Sequence, residues 1–278
     1  MISAPLAKLE RFGDAGIRQS TDPEPSFEEA GDSVILTSKG SQTSAAFLPH
    51  AIPVGQSFKA TAKILLRGTA DCGFADGVAI VLTADKDLGA CGGGAGLGFN
   101  GVGGIGDVAV AGTCRMWLSA ALSHDGRMKL TAVKTWRATG TEGLGESADP
   151  PAPCITLQSP LLASHDKCLA FTPPGSIPWL SRVYTAPFTP NGPLHTRYPF
   201  RLELFHNANK DSVTGTLLYK DPEKNDTRER RLFLFEEKIP KSEAAERFVG
   251  VTASTGACQQ AVSVPSVCAH CVQPESSC

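Results

Sequence analysis

"SFKATAKILLRG", residues 57–68, alternates apolar and polar side chains along almost its whole length. An alternation with a period of two is typical of a β-strand that buries one face and exposes the other. The apolar set is Phe58, Ala60, Ala62, Ile64 and Leu66, and the polar set is Lys59, Thr61, Lys63 and Arg67. The stretch is therefore predicted to be a strand that lies on a hydrophobic core.

Strand-like segments recur along the chain, separated by Gly, Pro, Asn and Asp. They are "GVAIVLTA" (77–84), "RMKLTAVKTW" (127–136), "PCITLQS" (153–159), "FRLELFHN" (200–207), "TGTLLYK" (214–220), "RRLFLFEE" (230–237) and "RFVGVTAST" (247–255). The first is apolar nearly throughout, which is typical of a central strand, and only "KSEAAERF" (241–248) is predicted to be helical. Many short strands with almost no helix indicate an all-β fold, an antiparallel β-sandwich.

Composition limits the function classes that remain. The chain has 278 residues, 41% of them apolar, and a formal net charge of −2. This length suits one large domain or two small ones, and β-sandwiches of this size are common as single domains. The near-neutral charge gives no electrostatic basis for binding nucleic acid or an anionic membrane. No apolar run approaches the ~18 residues of a membrane-spanning helix.

The glycine-rich stretch "ACGGGAGLGFNGVGGIG" (90–106) contains two overlapping GxGxxG matches, at 96–101 and 101–106. A dinucleotide-binding loop needs a helix that begins within the motif, because the helix N-terminus holds the phosphates. The next residues, "DVAVAG" (107–112), are strand-like, and the glycines lead into no Gly-Lys-Ser/Thr of a P-loop. Both nucleotide-binding interpretations are therefore rejected.

Three motifs taken together resemble the L-type (legume-like) lectin family. They are "ADG" (75–77) at the start of an apolar strand, "GGG" (92–94) followed by "LG" (97–98), and "VGVTASTG" (249–256). The resemblance covers roughly residues 30–265. It implies a concanavalin A-like jelly-roll sandwich with a shallow sugar site built from loops at one end.

The resemblance also implies which residues bind carbohydrate. Asp76 would accept hydrogen bonds from two sugar hydroxyls, Gly94 would donate a backbone N–H, and Gly256 and Ala257 would form another wall of the site. A carboxylate accepts such bonds strongly, and a glycine lets the backbone approach a ligand closely. The alternative for Asp76 is a turn residue that satisfies backbone donors.

The family's Ca²⁺ ligands, by contrast, have no counterpart in this sequence. They come from a strand with the pattern VAVEFDTW, and two segments are similar to it. In "DVAVAGTCRMW" (107–117) the acidic positions are Ala111 and Thr113, and in the better match "KLTAVKTWRATG" (129–140) they are Ala132 and Lys134. Ca²⁺ prefers oxygen ligands, carboxylates among them, so we expect no metal cofactor.

These features predict a weak, metal-independent carbohydrate-binding module whose partner is a glycan or glycoprotein. The alternative is a degenerate lectin fold that acts as a structural or protein-interaction domain. No GxSxG motif and no strand with paired glutamates is present, so an enzyme is not expected. The oligomeric state stays open.

Nine cysteines, an odd number, are scattered along the chain. They are Cys72, Cys91, Cys114, Cys154, Cys168, Cys258, Cys268, Cys271 and Cys278. Such numbers are more typical of oxidised, extracellular or secretory-pathway chains, although reduced buried thiols are an alternative. The start, "MISAPLAKLERFGDAG", shows no apolar segment of a signal peptide.

The predicted organisation has three parts: a loose lead-in (1–25), the sandwich (26–265) and a Cys-rich tail (266–278), with the boundary near Pro265. The tail contains "CAHC" (268–271). We favour a disulfide module there, the start of a cysteine-rich stalk. The alternatives are unpaired cysteines in a fragmentary tail and a zinc site, which needs four ligands.

Overall fold

The computed structural model describes residues 2–3, 6–18, 32–53, 55–68, 77–83, 108–113, 120–122, 128–130, 154–158, 170–171, 194–195, 200–220, 228–238, 246–255 and 260–272. A short 3-10 helix spans Leu6–Lys8, and β-strands make up most of the rest. Among these residues, no helix has the length and apolarity that crossing a membrane requires.

The strands follow the chain in this order: β1 Ile2–Ser3, β2 Glu10–Gly13, β3 Gly16–Arg18, β4 Ser33–Thr37, β5 Thr43–Phe47, β6 Ile52–Pro53, β7 Phe58–Gly68, β8 Gly77–Thr83, β9 Val108–Thr113, β10 Ala120–Leu122, β11 Met128–Leu130, β12 Cys154–Gln158, β13 Ala170–Phe171, β14 Leu194–His195, β15 Phe200–Asn207, β16 Ser212–Lys220, β17 Glu229–Lys238, β18 Glu246–Ser254 and β19 Gln260–Cys271.

Two large antiparallel sheets form a sandwich. Sheet A has nine strands in the order β17-β16-β15-β7-β19-β4-β3, with β1 beside β19 and β14 beside β7. Sheet B has eight strands in the order β13-β12-β9-β8-β18-β5-β2, with β6 beside β18. The pair β10-β11 forms a separate ribbon. The prediction of an all-β antiparallel sandwich is confirmed.

The core lies between the sheets and follows the predicted alternation. In β7, Phe58, Ala60, Ala62, Ile64 and Leu66 are all buried, whereas Lys59, Thr61 and Lys63 are partly exposed. The central-strand prediction for β8 is also right, because all seven of its residues are buried on both faces. Burial of this extent supplies roughly 1.5–3 kcal/mol for each large aliphatic side chain, so these strands anchor the fold.

β18 corrects the only predicted helix. Residues Glu246–Phe248, the end of the stretch expected to be helical, are the first residues of this strand. Arg247 pairs with Ile52 of β6, and Phe248 pairs with Thr83 of β8. These partners are far away in sequence, so the ladder overrides a weak local helix preference. Residues 241–245 lie outside the described residues.

β19 corrects the predicted boundary near Pro265. It is a 12-residue strand inside sheet A, so residues 266–271 belong to the sandwich and not to a separate tail. Proline lacks the N–H that a central strand donates. The register against β7 shifts between Ser263 and Ser266, so that Pro265 sits in a bulge, where a proline is tolerated.

The first 18 residues correct the expectation of a loose lead-in for the part that is described. β1 pairs with β19, β2 with β5 and β3 with β4. These short strands cover the edges of both sheets, and the segment includes Leu9, which is buried in the core. The sandwich therefore begins earlier than residue 26.

Candidate functional site

Strands β8 and β18 carry two of the motifs on which the lectin resemblance rests, and they are neighbours in sheet B. Their register runs from Phe248 opposite Thr83 to Ser254 opposite Gly77. Gly77, which follows Asp76 directly, therefore lies beside Ser254, the last residue of the strand that leads to Gly256. Asp76, Gly94, Gly256 and Ala257 themselves lie outside the described residues. The structure brings together the two strand ends to which three of them are attached.

Gly77, the glycine of the Asp-Gly pair, has a φ of 145°. L side chains rarely adopt a positive φ because their Cβ meets the backbone, whereas glycine adopts it freely. The residue is also buried and opposite Ser254. Glycine at this position therefore satisfies a backbone requirement at the start of β8.

Thr255, which precedes Gly256, is clipped to the turn between β4 and β5. Its hydroxyl accepts a hydrogen bond from the Gln42 backbone N–H at 3.0 Å and donates one to the Lys39 carbonyl at 2.7 Å. Its own backbone N–H donates to the Gln42 carbonyl at 2.9 Å. Thr255 is only 1% exposed. Three bonds at a buried residue fix the end of β18, and sequence analysis missed this role.

The turn that holds Thr255 is itself ordered by the Gln42 side chain. Its Oε1 atom accepts hydrogen bonds from the backbone N–H groups of Ser38 at 2.6 Å and Lys39 at 2.9 Å. Ser41 has a φ of 56°, an uncommon conformation for a residue other than glycine. The Ser/Gly-rich sequence "SKGSQ" (38–42) signals a turn, but its pairing with Thr255 depends on tertiary structure. We call residues 38–42 and Thr255 the Thr255 clip.

The opposite end of the sandwich, where β18 begins, holds buried polar groups. His206 is 4% exposed and stacks on Phe58 with ring centroids 5.2 Å apart. Burial lowers the pKa of His206, and the positive charge of Arg247, itself 2% exposed, lowers it further. A backbone hydrogen bond with Gln56 and the charge of Asp211 act in the other direction. A neutral, stacked imidazole in this position is a packing residue.

The structure describes the acidic positions in only one of the two segments that are similar to the family's metal-binding strand. Val108–Thr113 is strand β9, which lies between β8 and β12, with Ala111 opposite Ala79. Residues 131–138, the preferred match, lie outside the described residues. In the described part of the chain, no group of three or more His, Cys, Asp or Glu side chains comes together as a metal site. The sequence of β9, VAVAGT, contains no carboxylate.

Cys268 and Cys271 are free thiols in β19, which corrects the expectation of a disulfide module at "CAHC". Side chains three positions apart in a strand point to opposite faces, so these two cannot chelate one zinc ion together. Cys268 lies opposite Thr61 of β7. Burial raises the pKa of the Cys268 thiol, with nearby Lys59 acting in the other direction. The remaining cysteines carry no described side chain.

Comparison with known proteins gives matches only at the level of structure. No protein-family profile matches the chain, and no curated protein sequence does. A peanut lectin structure with a nine-residue peptide superposes with a TM-score of 0.59 at 11% identity, covering 99% of this chain and 97% of the other. The exoplasmic/lumenal domain of VIP36, in a form bound to Ca²⁺ and Man3GlcNAc, gives 0.57 at 13% identity, covering 99% and 89%.

A third match is the metal-free form of lectin I-B4 from Griffonia simplicifolia. It gives a TM-score of 0.56 at 12% identity and covers 95% of this chain and 94% of the other. Plant and lumenal lectins therefore agree on the architecture over nearly the whole chain, although sequence identity is low. Together with the two-sheet topology, these matches show that the chain has a divergent L-type lectin-like fold.

Proposed function

We propose that this chain is a carbohydrate-binding protein and that its site lies where β8 begins and β18 ends. One observation carries the proposal: Gly77, which follows Asp76, and Ser254, which lies two residues before Gly256, are paired partners in neighbouring strands. The Thr255 clip fixes the end of the second of these strands, β18. Rigid strands that hold loop residues are the usual support of a binding site.

In this proposal Asp76 accepts hydrogen bonds from two sugar hydroxyls. Gly94 donates a backbone N–H, and Gly256 with Ala257 forms the facing wall. Each neutral hydrogen bond contributes only about 0.5–1.5 kcal/mol net, and bonds to a carboxylate contribute more. Asp76 is therefore the strongest single contact, and a site of this kind is weak for one sugar. Its partner is a glycan or glycoprotein, bound and not chemically altered.

We propose further that binding does not need Ca²⁺. The acidic positions of the family's metal strand are Ala111 and Thr113 in one alignment, and Ala132 and Lys134 in the other. Neither pair supplies a carboxylate. The cysteine number and the exoplasmic/lumenal origin of one structural neighbour support an extracellular or secretory-pathway location.

The test is binding of the purified chain to a glycan array, with and without EDTA. Asp76→Ala is expected to abolish binding while the protein stays folded, and Asp76→Asn is expected to weaken it because one acceptor oxygen remains. Asp32→Ala is the matched control. Asp32 is exposed and precedes β4, at the end of that strand away from the Thr255 clip. A folded Asp76→Ala variant that binds as tightly as the parent refutes the site.

The second candidate is a degenerate lectin fold that serves as a structural or protein-interaction domain. The missing carboxylates in both metal-strand segments favour it, because a family site without its metal has lost part of its support. Failure of the folded parent protein to bind any glycan at high density supports this candidate over the first. Loss of folding in Asp76→Ala also supports it, since Asp76 would then be a structural turn residue.

A further inference from the structure

The outer face of sheet A carries a row of positively charged side chains that crosses its strands. Arg201 of β15 lies directly opposite Lys63 of β7, and on its other side it lies opposite Leu218 of β16. Leu218 in turn lies opposite Arg231 of β17. Each of the three cations is followed along its strand by a side chain that contacts the core, so the cations point away from the core. We call Lys63, Arg201 and Arg231 the basic row.

Carboxylates neutralise this face only in part. Glu203, which is 7% exposed, accepts a hydrogen bond from Arg231 at 2.8 Å and also lies 2.7 Å from the Nζ atom of Lys59. One carboxylate therefore serves two cations. Arg201 is paired with Glu229. The network of ion pairs thus holds three positive charges and two negative ones.

Lys63 adds a further positive charge beside this network. In the described part of the chain Lys63 forms no ion pair, and the residue directly opposite it on β15 is Arg201. Like charges directly across two antiparallel strands are unfavourable. The pairing becomes favourable when an external anion binds between the two cations, and this is the reason to expect an anionic ligand here.

The row is open to solvent, and an aromatic ring lies at its end. The side chain of Arg231 is 62% exposed and that of Arg201 is 40% exposed. Phe233 lies two positions after Arg231, on the same face of β17, and is 60% exposed. Strands in a sheet lie about 4.8 Å apart, so the Cα atoms of Arg201 are about 5 Å from Lys63 and about 10 Å from Arg231. The surface therefore suits an extended ligand that has repeated negative charges and an apolar face.

We propose that the outer face of sheet A binds an anionic polysaccharide, one whose sugar rings carry sulfate or carboxylate groups. The basic row contacts the anionic groups, since guanidinium and ammonium groups form strong charge-assisted hydrogen bonds with them. Phe233 packs on the apolar face of a sugar ring, because an exposed aromatic side chain has a large apolar surface to bury. The proposed site at β8 and β18 belongs to sheet B, and this inference does not depend on it.

Two other anionic partners fit this face less well. An acidic peptide that binds by strand addition needs the free backbone groups of a sheet edge, whereas the row crosses β15 and β16, which have a strand on each side. A nucleic acid is attracted over long distances by a positive net charge, and the formal net charge of this chain is −2. The excess positive charge is local, which suits a few acidic groups on a flexible polymer.

The first experiment measures binding of the purified chain to immobilised heparin, which is sulfated, and to polygalacturonate, which carries carboxylates only. Dextran is the uncharged control. We expect at least one anionic polymer to bind more tightly than dextran, and added salt to weaken that binding because it screens exposed charges. If neither anionic polymer binds at low ionic strength, or if dextran binds as tightly, the proposal is overturned.

The second experiment uses the variant Lys63→Glu. It puts a carboxylate opposite Arg201, an arrangement that is favourable within the sheet, so the melting temperature should be unchanged or higher. Binding to the anionic polymer should fall by about fivefold or more, because the variant removes an exposed ion pair and adds a repulsion. Lys210→Glu is the matched control, since Lys210 is exposed in the turn between β15 and β16, about 20 Å from Arg201 along β15. A folded Lys63→Glu variant that binds as tightly as the parent overturns the proposal.

Two more variants test the rest of the surface. Phe233→Ser should weaken binding and leave its salt dependence unchanged, since it removes no charge. Arg231→Gln should weaken both the binding and its salt dependence, and it leaves Lys59 paired with Glu203. These two variants also decide the matter if Lys63→Glu does not fold. Unchanged affinity in both of them overturns the proposal.

The last comparisons separate this surface from other polyanion binding and from the proposed site in sheet B. Single-stranded DNA and polyglutamate of similar length are the competing polyanions, and tighter binding of either one overturns the assignment to a polysaccharide. A folded Asp76→Ala variant should bind heparin as the parent does. Loss of heparin binding in Asp76→Ala but not in Lys63→Glu would place the polymer in the sheet B site and overturn the proposal.

Discussion

Replacing Gly250 with alanine is expected to destabilise the sandwich, because the new methyl group would overlap the ring of Phe47. The two residues are paired partners in β18 and β5. A Cβ on Gly250 would overlap Phe47 Cδ1 and would lie 2.6 Å from Cε1 and 2.9 Å from Cγ. Phe47 is fully buried and packs edge-to-face on Phe12 with ring centroids 5.9 Å apart. The ring is therefore poorly able to move away.

Two effects of opposite sign set the magnitude. Overpacking a well-packed site costs about 1–3 kcal/mol, and an overlap with three ring atoms belongs near the upper end of that range. Alanine in place of glycine also restricts the unfolded chain, which stabilises the protein by about 0.4–1 kcal/mol. The overlap is the larger effect, and the expected net loss is about 2 kcal/mol. For a domain of this size, that loss lowers the melting temperature by about 4–8 °C.

Chemical denaturation of the parent and variant measures the difference directly. Gly16→Ala is the matched control, because Gly16 also lies in a strand and a Cβ there meets nothing within 4 Å. Combining Gly250→Ala with Phe47→Leu should recover part of the loss, which a double-mutant cycle reads as coupling between the two sites. If Gly250→Ala is as stable as Gly16→Ala, the reasoning is refuted.

The buried polar groups and the missing metal ligands lead to three further predictions. Because burial and Arg247 lower the pKa of His206 in the folded state, the unfolded chain takes up that proton more readily. Stability from this residue is then complete above about pH 6.5 and is lost as the pH falls below it. His206→Phe should flatten the acid side of the stability–pH curve, and an unchanged curve would contradict this. Thr255→Val should cost about 2 kcal/mol in denaturant unfolding, since the Gln42 N–H, in a buried hydrogen bond, and the Lys39 carbonyl, in a partly buried one, lose their partner. A loss below about 0.5 kcal/mol would mean that the clip bonds are dispensable. EDTA should leave the thermal midpoint unchanged, because the acidic positions of the metal strand carry no carboxylate in either segment. A metal bound only by the native state would stabilise it by mass action. A large drop of the midpoint on chelation would therefore show that a metal site is present.

Local patterning was sufficient for the strands that bury one face. The alternation of residues 57–68 predicted β7, and "FRLELFHN" predicted the full span of β15. Alternation is visible in the sequence because each side chain's face depends only on its position in the strand. The motif glycines were also visible, and the structure gives two of them physical reasons: the positive φ of Gly77 and the close ring beside Gly250.

Tertiary structure decided what depends on partners distant in sequence. Pro265 marks a break in the local pattern, yet β19 continues through it, because β7 and β4 supply the ladder and a bulge removes the need for its N–H. The spacing of Cys268 and Cys271 in the sequence is typical of a metal or disulfide motif. In the structure both lie in one extended strand, which places them on opposite faces. The Thr255 clip joins residues 38–42 to residue 255. The register of β17 against β16 shifts at a bulge between Gly215 and Thr216. Contacts of this kind form between segments that no local window contains, so the sequence by itself determined the strands, and the folded sheets determined which of their residues meet.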